Sequence, residues 1–399
     1  MPVQTPHEHG KNTTMPLLPA GPVVPIADTH QLRLLVQVLS AQPAVAVDTE
    51  SNSLYAYRER VCLIQFSIPE GDYIVDPLAG LDLAPLCRVF ADPGIQKVFH
   101  AAGQDVAGLK RDLDFSFANL FDTMLAARIL GWKQTGLGDI VWEHFGVRLE
   151  KRYQRYDWGR RPLQPEALSY AGMDTRYLLP LRAIQMAELT RLGRLEEARE
   201  AFDEAAQTPP SAPATLEESF WRIKGVYDLG ATERAVLWEL HRWRDGVARV
   251  RDCPPFKVLR DEALVALAQA RPRTLAELTR IPRLPPHLLQ RNGPAILAAI
   301  ARGERRPAPH PPVHRRPPDE VLARYEALRD WRRHVAIRRQ VEADVILSNA
   351  ALMALAQCNP GSLEEMEGIA GLGPWKRRTY GPEIVQVLGG RGWKLEVGG

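Results

Sequence analysis

Cysteine is scarce in this 399-residue sequence: Cys62, Cys87, Cys253 and Cys358 lie far apart, with no C-x-x-C pair and no Cys/His cluster at zinc-finger spacing. A disulfide framework and a structural zinc site are thereby excluded, and reduced, buried thiols are expected. Long apolar runs are missing too. No stretch approaches the ~20 consecutive apolar residues that span a bilayer, and no basic segment followed by an apolar one opens the chain. Neither membrane insertion nor export is expected, and the expected location is cytoplasmic. A G-x-x-x-x-G-K-[ST] phosphate loop is also lacking, which argues against ATP-driven work. What is present is ordinary for a folded, water-soluble chain: 45% hydrophobic and 25% charged residues. The length implies two or three domains at roughly 100–200 residues each.

Charge is unevenly spread. Residues 231–399 hold 28 Lys/Arg against 19 Asp/Glu, whereas residues 1–230 hold 23 against 29. A basic C-terminal half is a candidate footprint for a polyanion, and an acidic N-terminal half is either clustered carboxylates or a merely acidic surface. Residues 1–22 are Pro-, Gly- and polar-rich without periodicity and read as a tail, as do residues 393–399. Proline-dense stretches at 207–215 and 304–318 read as linkers. They leave a large segment, 23–206, and two smaller ones, 216–303 and 319–392. The smaller two are a repeat. An ungapped shift of 88 residues pairs Trp243 with Trp331, Arg244 with Arg332, Leu264 with Leu352, Pro272 with Pro360 and Gly293 with Gly381, giving 21 identities over residues 243–300. Apolar residues at spacings of three and four, with Pro272 or Pro360 ending a helix, make each copy a small all-helical domain.

The large segment has a different grammar. Short β-prone runs at Ala44–Val47, Val61–Phe66, Tyr73–Val75 and Val98–Phe99 are followed, from about Val106, by helical patterns. Strands followed by helices predict an α/β fold with a mixed sheet and flanking helices. Asp48 and Glu50 sit two apart at the end of the first run and point to one face of a strand. A lone D-x-E is most often a solvated strand end. His100-Ala-Ala-Gly-Gln-Asp105 places another acid at a helix start, where a cap is the common use. Tyr170 and Asp174, four apart, are neighbours on one helix face.

As an ordered set, D-x-E, then H-x-x-x-x-D, then Y-x-x-x-D, these residues resemble the ribonuclease D family, the tyrosine variant of the DEDD superfamily of 3′→5′ exonucleases. Further matching residues are Cys62-Leu-Ile-Gln-Phe66, Ile74-Val-Asp-Pro77, Phe121-Asp-Thr-Met-Leu125, Gly136-Leu-Gly-Asp139 and Tyr156-Asp-Trp-Gly-Arg160. The likeness covers about residues 23–205, and the repeats resemble HRDC modules, so the whole ordered chain fits. The resemblance implies a ribonuclease H-like (DnaQ-like) exonuclease domain followed by two HRDC domains. It makes Asp48, Glu50, Asp105 and Asp174 the metal-holding acids and Tyr170 the catalytic tyrosine. It also implies stepwise release of nucleoside 5′-monophosphates from a 3′ end. One departure is Ser51-Asn52, where bacterial relatives often carry an aromatic residue after the Glu, so the motif assigns no stacking contact for the terminal base.

Four carboxylates in one pocket repel unless cations neutralise them. Two divalent cations balance four negative charges, and hard oxygen ligands suit Mg²⁺ or Mn²⁺, roughly 3.5–4 Å apart in an in-line displacement. Tyr170, with an ordinary pKa near 10, suits orienting a water better than deprotonating it. His100 either orients an acid, approaches substrate or is buried and hydrogen-bonded. Trp158, Arg160 and Arg161 either stack on a base and hold phosphates or pin a loop. In the second repeat, Gly371-Leu-Gly-Pro-Trp-Lys-Arg-Arg378 puts a glycine turn before a helix start, a phosphate-holding arrangement, with Lys376, Arg377 and Arg378 as candidate nucleic-acid contacts; the alternative is a solvated helix face. The expected partner is a nucleic acid with a free 3′ end, RNA favoured over DNA, met by a monomer acting in tRNA or stable-RNA processing or decay. Two alternatives stand: a DNA exonuclease serving repair, and a non-catalytic binding protein with a decayed nuclease fold.

Overall fold

Val61–Ile68 is an unbroken run of mostly apolar and β-branched residues, and all eight are buried, as expected of a strand covered on both faces. It is β3 of a single six-stranded sheet. The others are β1 (Val24–Ile26), β2 (Ala44–Ser51), β4 (Gly71–Val75), β5 (Gln96–Phe99) and β6 (Leu120–Asp122), in the order β1-β4-β3-β2-β5-β6. β3 pairs antiparallel with β2 and β4, whereas β1–β4, β2–β5 and β5–β6 are parallel. The mixed α/β sheet expected from the sequence is therefore present. β1 and β6 were not among the expected strands: at three residues each they are too short to display alternation, and only their neighbours in the sheet define them. The computed structural model describes residues 22–282, 284–312 and 316–390; apart from Pro22, both expected tails lie outside the described residues.

Helices α1 (Thr29–Ser40), α2 (Ala84–Ala91), α3 (Gly103–Leu113), α4 (Thr123–Leu130), α5 (Leu137–Phe145), α6 (Pro165–Arg176), α7 (Leu178–Arg191) and α8 (Leu195–Ala206) surround the sheet. The main core gathers Phe66, Phe90, Phe99, Phe121 and Phe202. A second apolar cluster, holding Leu63, Ile74, Trp158 and Tyr170, seats α6 against β3 and β4. After residues 207–215 come α9 (Leu216–Trp221), α10 (Ala231–Val250), α11 (Pro255–Val258), α12 (Asp261–Ala270), α13 (Leu275–Leu278) and α14 (Pro286–Gly303). Then follow α15 (Asp319–Arg339), α16 (Ala343–Ile346), α17 (Asn349–Cys358) and α18 (Pro374–Leu388). The starts of α10, α11, α12 and α14 recur 88 residues later as α15, α16, α17 and α18, and each copy closes its own core. Even the internal pin is repeated, with Arg244 donating to the Leu259 carbonyl at 2.9 Å and Arg332 to the Leu347 carbonyl at 2.7 Å.

The second helical module is docked on the first domain through α8. Arg339 grips the buried Glu197 carboxylate with two bonds of 2.8 and 2.5 Å, and Arg128 of α4 donates to Asp344 at 2.5 Å. Glu200 accepts from the main-chain N–H groups of Trp375 (2.5 Å) and Lys376 (3.2 Å) at the start of α18. A Cβ at Gly373 would overlap that carboxylate, which accounts for the glycine.

Candidate active site

β2 leaves the core at its end: Val45, Ala46 and Val47 are buried, and from Asp48 onward the residues are half-exposed. β5 runs parallel beside it, with Ala46 opposite Val98, so the turn after β5 emerges next to Asp48. That turn is locked by Asp122, whose buried carboxylate accepts from the N–H groups of Ala101 (3.1 Å) and Ala102 (2.8 Å) as well as capping α4 at Met124 and Leu125. Ala101 adopts a left-handed φ of 63°, and α3 starts two residues on, setting Asp105 in its first turn. α6, packed on β3, β4 and β2, delivers Tyr170 and Asp174 to the same place.

Carboxylate oxygens of Asp48, Glu50 and Asp174 all lie within 4.8 Å of one another. None of the three has an ion-pair partner among the described residues. The pairing register shifts between Glu50 and Ser51, the kind of irregularity that re-aims a side chain. Asp105 completes the acidic patch but stands outside the 4.8 Å set: its Oδ1 accepts from both the N–H (3.1 Å) and the hydroxyl (2.5 Å) of Thr49. Burial raises every one of these acids, and repulsion from the neighbouring acids adds to it at Asp48 and Glu50. Glu50 is pushed up to about 8 by burial and then by Asp174 and Asp105. Asp105 and Asp174 reach about 7, each chiefly through burial. Asp48 is raised well above its ordinary value by burial and its three acidic neighbours. Burial, with Asp174, Glu50 and Asp48 nearby, also lifts the Tyr170 hydroxyl further above its ordinary range. A half-buried, uncompensated cluster of hard oxygen donors fits divalent cations.

An adjoining pocket of about 170 Å³ is lined by Glu50, Leu54, Glu59, Gln104, Asp105 and Arg111, among others. Leu54, 40% exposed at its mouth, is an apolar surface that the sequence pattern left unmarked. Thr49 was likewise passed over, because only the fold brings Asp105 to it; Asp122 sits in the Phe121-Asp-Thr segment, where a capping acid before a helix was a usable signal.

Several expected substrate contacts are corrected. Trp158 is 1% exposed, edge-on to Tyr156 and stacked on Tyr170 at 6.3 Å; it backs the tyrosine and offers no face to a base. Arg161 is spent on Asp76, with two bonds of 2.6 Å, and on the Cys62 and Trp158 carbonyls. Arg160 is exposed and has no ion-pair partner among the described residues. His100 is half-buried and hydrogen-bonded, with Nδ1 on the Thr123 hydroxyl at 2.9 Å, and burial lowers its pKa. Lys376, Arg377 and Arg378 do not form an open phosphate site. Lys376 is buried, Arg378 pairs with Glu196 and Arg377 with Glu367, and Glu200 occupies the helix start. The acidic face of α8 has taken the place a polyanion was expected to fill.

Fold and site together define a 3′→5′ exonuclease with two HRDC modules. Residues 23–189 match the family described as 3′-5′ exonuclease, and residues 233–300 and 321–388 each match the HRDC domain. Ribonuclease D of Acidiphilium cryptum is 31% identical over 378 residues, covering 92% of this chain and 93% of that protein. The chain belongs to the ribonuclease D family. Protein RRP6-like 2 of Arabidopsis thaliana is 32% identical over 289 residues, covering 69% of this chain and 33% of that protein. Among solved structures, Escherichia coli RNase D, described as an exoribonuclease involved in structured RNA processing, superposes with a TM-score of 0.67 at 26% identity, covering 92% of this chain and 98% of that one. Exonucleases of this superfamily use divalent metals and act on nucleic acid, and the acidic cluster supplies side chains suited to holding such metals. Among the described residues no helix is long and apolar enough to cross a membrane.

Proposed function

We propose that this exonuclease acts on RNA, removing nucleoside 5′-monophosphates one at a time from the 3′ end in the maturation or decay of tRNA and other stable RNAs. It does so as a cytoplasmic monomer. The observation that carries the reading is the half-buried trio Asp48, Glu50 and Asp174, held within 4.8 Å without a compensating cation side chain. With Asp105 they would hold two divalent cations, Mg²⁺ or Mn²⁺. Bound there, such cations supply the positive charge that in-line phosphodiester displacement needs at the attacking and leaving oxygens. The protein's own groups do the rest. Thr49 fixes Asp105 through two hydrogen bonds, and Trp158 and Tyr153 fix the Tyr170 ring from behind. With its hydroxyl held protonated, Tyr170 orients a water by hydrogen bonding and does not deprotonate it. We assign Arg160 to the phosphate and Leu54, which lines the adjoining pocket, to the terminal base. The preference for RNA over DNA is supported by the relatives, named as ribonucleases.

The test is product identity. Digestion of an unblocked RNA oligonucleotide should release only nucleoside 5′-monophosphates on chromatography, and the same oligonucleotide with a 3′-phosphate should resist. Release of 3′-monophosphates or internal fragments would overturn the mechanism, and faster digestion of DNA would move the substrate to the repair alternative.

A further inference from the structure

Ser51, at the end of β2, and Ser53, Leu54 and Glu59, between β2 and β3, form one wall of the pocket that adjoins the acidic cluster, lined also by Glu50 and Asp105. Its base is tied by Asn52, whose Oδ1 accepts from Arg60 N–H at 2.9 Å and whose carbonyl accepts from Tyr55 and Ala56. Its outer side is tied to a different domain. The Tyr57 hydroxyl donates to Asp245 on α10 at 2.7 Å, and Tyr57 N–H donates to Asp252 at 3.1 Å. Arg249 reaches the Tyr57 oxygen at 3.3 Å and covers its ring. Lys257 sits 3.8 Å from the centre of the Tyr55 ring, and Tyr57 packs against the core of the first helical module.

The repeat gives an internal control. Eighty-eight residues on, Asp245, Arg249, Asp252 and Lys257 are replaced by Arg333, Ile337, Gln340 and Val345. Core and turn residues are shared between the copies, whereas the polar and charged side chains that meet the loop, Asp245, Arg249, Asp252 and Lys257, belong to the first copy alone. Shared ancestry explains the former; the loop explains the latter.

We infer that the first HRDC module is a positioning element of the active site: the Tyr57–Asp245 junction, reinforced by Arg249, Asp252 and Lys257, holds the pocket wall that carries Leu54. Tyr57 and Asp245 are positioning residues, acting through the loop without touching substrate. A surface loop tied only at its base samples many conformations, and a wall displaced by about 1 Å is costly in rate. Charge-assisted bonds across the junction remove that freedom. The inference rests on the exonuclease reading above.

Tyr57→Phe, Asp245→Asn and the double variant would be compared with wild type on an RNA trinucleotide and on a 20-residue RNA, with kcat and KM separated and thermal melting measured alongside. Each single variant should lower kcat roughly three- to tenfold on both substrates, about the rate equivalent of one such hydrogen bond. The double variant should be no slower than the worse single, and melting should be retained by Tyr57→Phe. Unchanged kcat on the trinucleotide with a higher KM confined to the long RNA would overturn the inference and make the module a substrate-binding arm. Should wild type cut neither RNA, the exonuclease reading fails instead, and amide exchange over residues 52–60 still decides the junction: faster exchange in Tyr57→Phe supports it, unaltered exchange refutes it.

Discussion

Replacing Asp174 by Asn should abolish hydrolysis and, without metal, make the protein more stable. The side chain keeps its size and loses one of the charges packed within 4.8 Å. At that separation and an effective dielectric near 20, each ionised pair costs about 3.5 kcal/mol. Asp174 faces two such partners, Asp48 and Glu50. The cluster relieves part of the repulsion by holding protons, since Asp105 and Asp174 titrate near 7 and Glu50 near 8; the gain at pH 8 is therefore roughly 2–4 kcal/mol, and not the sum of both pairs. Because these carboxyls bind protons more tightly folded than unfolded, the stability they contribute is present below about pH 4 and is lost as pH rises through 7 and 8. The assay is scanning calorimetry in chelator at pH 8 and pH 5.5. At pH 8 the variant should melt about 4–16 °C above wild type, given some 2–4 °C per kcal/mol for a domain of this size. At pH 5.5, midway between the unfolded and folded values, the difference should fall to about half. Mn²⁺ at pH 8 should raise wild type and leave the variant nearly unmoved. A variant that melts below wild type in chelator at pH 8 would refute the electrostatic account.

Thr49→Val deletes the hydroxyl that holds Asp105 and should lower kcat about tenfold, while Thr49→Ser stays near wild type, as single-turnover kinetics would show; equal rates for Val and Ser would mean the contact is idle. Arg339→Ala leaves Glu197 buried without its partner, at a cost of roughly 3–5 kcal/mol where the pair is made. The second helical module should undock, visible as a larger radius of gyration in solution scattering; an unaltered profile would show that the α8 contact is dispensable. Charge reversal at Lys376, Arg377 and Arg378 should likewise release this module before it weakens affinity for a short RNA, read by scattering and by fluorescence anisotropy on the same samples.

The candidate catalytic residues were legible because their geometry is local: D-x-E on a strand and Y-x-x-x-D on a helix carry it in their spacing. The repeat was legible for the same reason, its 88-residue offset recurring in helix starts. What escaped was set by tertiary partners. Trp158 reads as a stacking aromatic until Tyr156 and Tyr170 cover it, and the basic run at 376–378 reads as a polyanion site until Glu196 and Glu200 arrive from 175 or more residues away. Thr49 and Tyr57 carry no motif at all, since Asp105 and Asp245 come to them only in the folded chain. The short strands β1 and β6 exist only as sheet neighbours.

The most direct test is a side-by-side digestion of 5′-labelled RNA and DNA of one sequence by wild type and Asp174→Asn, in Mg²⁺, Mn²⁺ or chelator. The account predicts a ladder that shortens from the 3′ end of RNA in wild type with either metal, and no ladder in chelator or in the variant. Shortening that persists in chelator or in Asp174→Asn would contradict it.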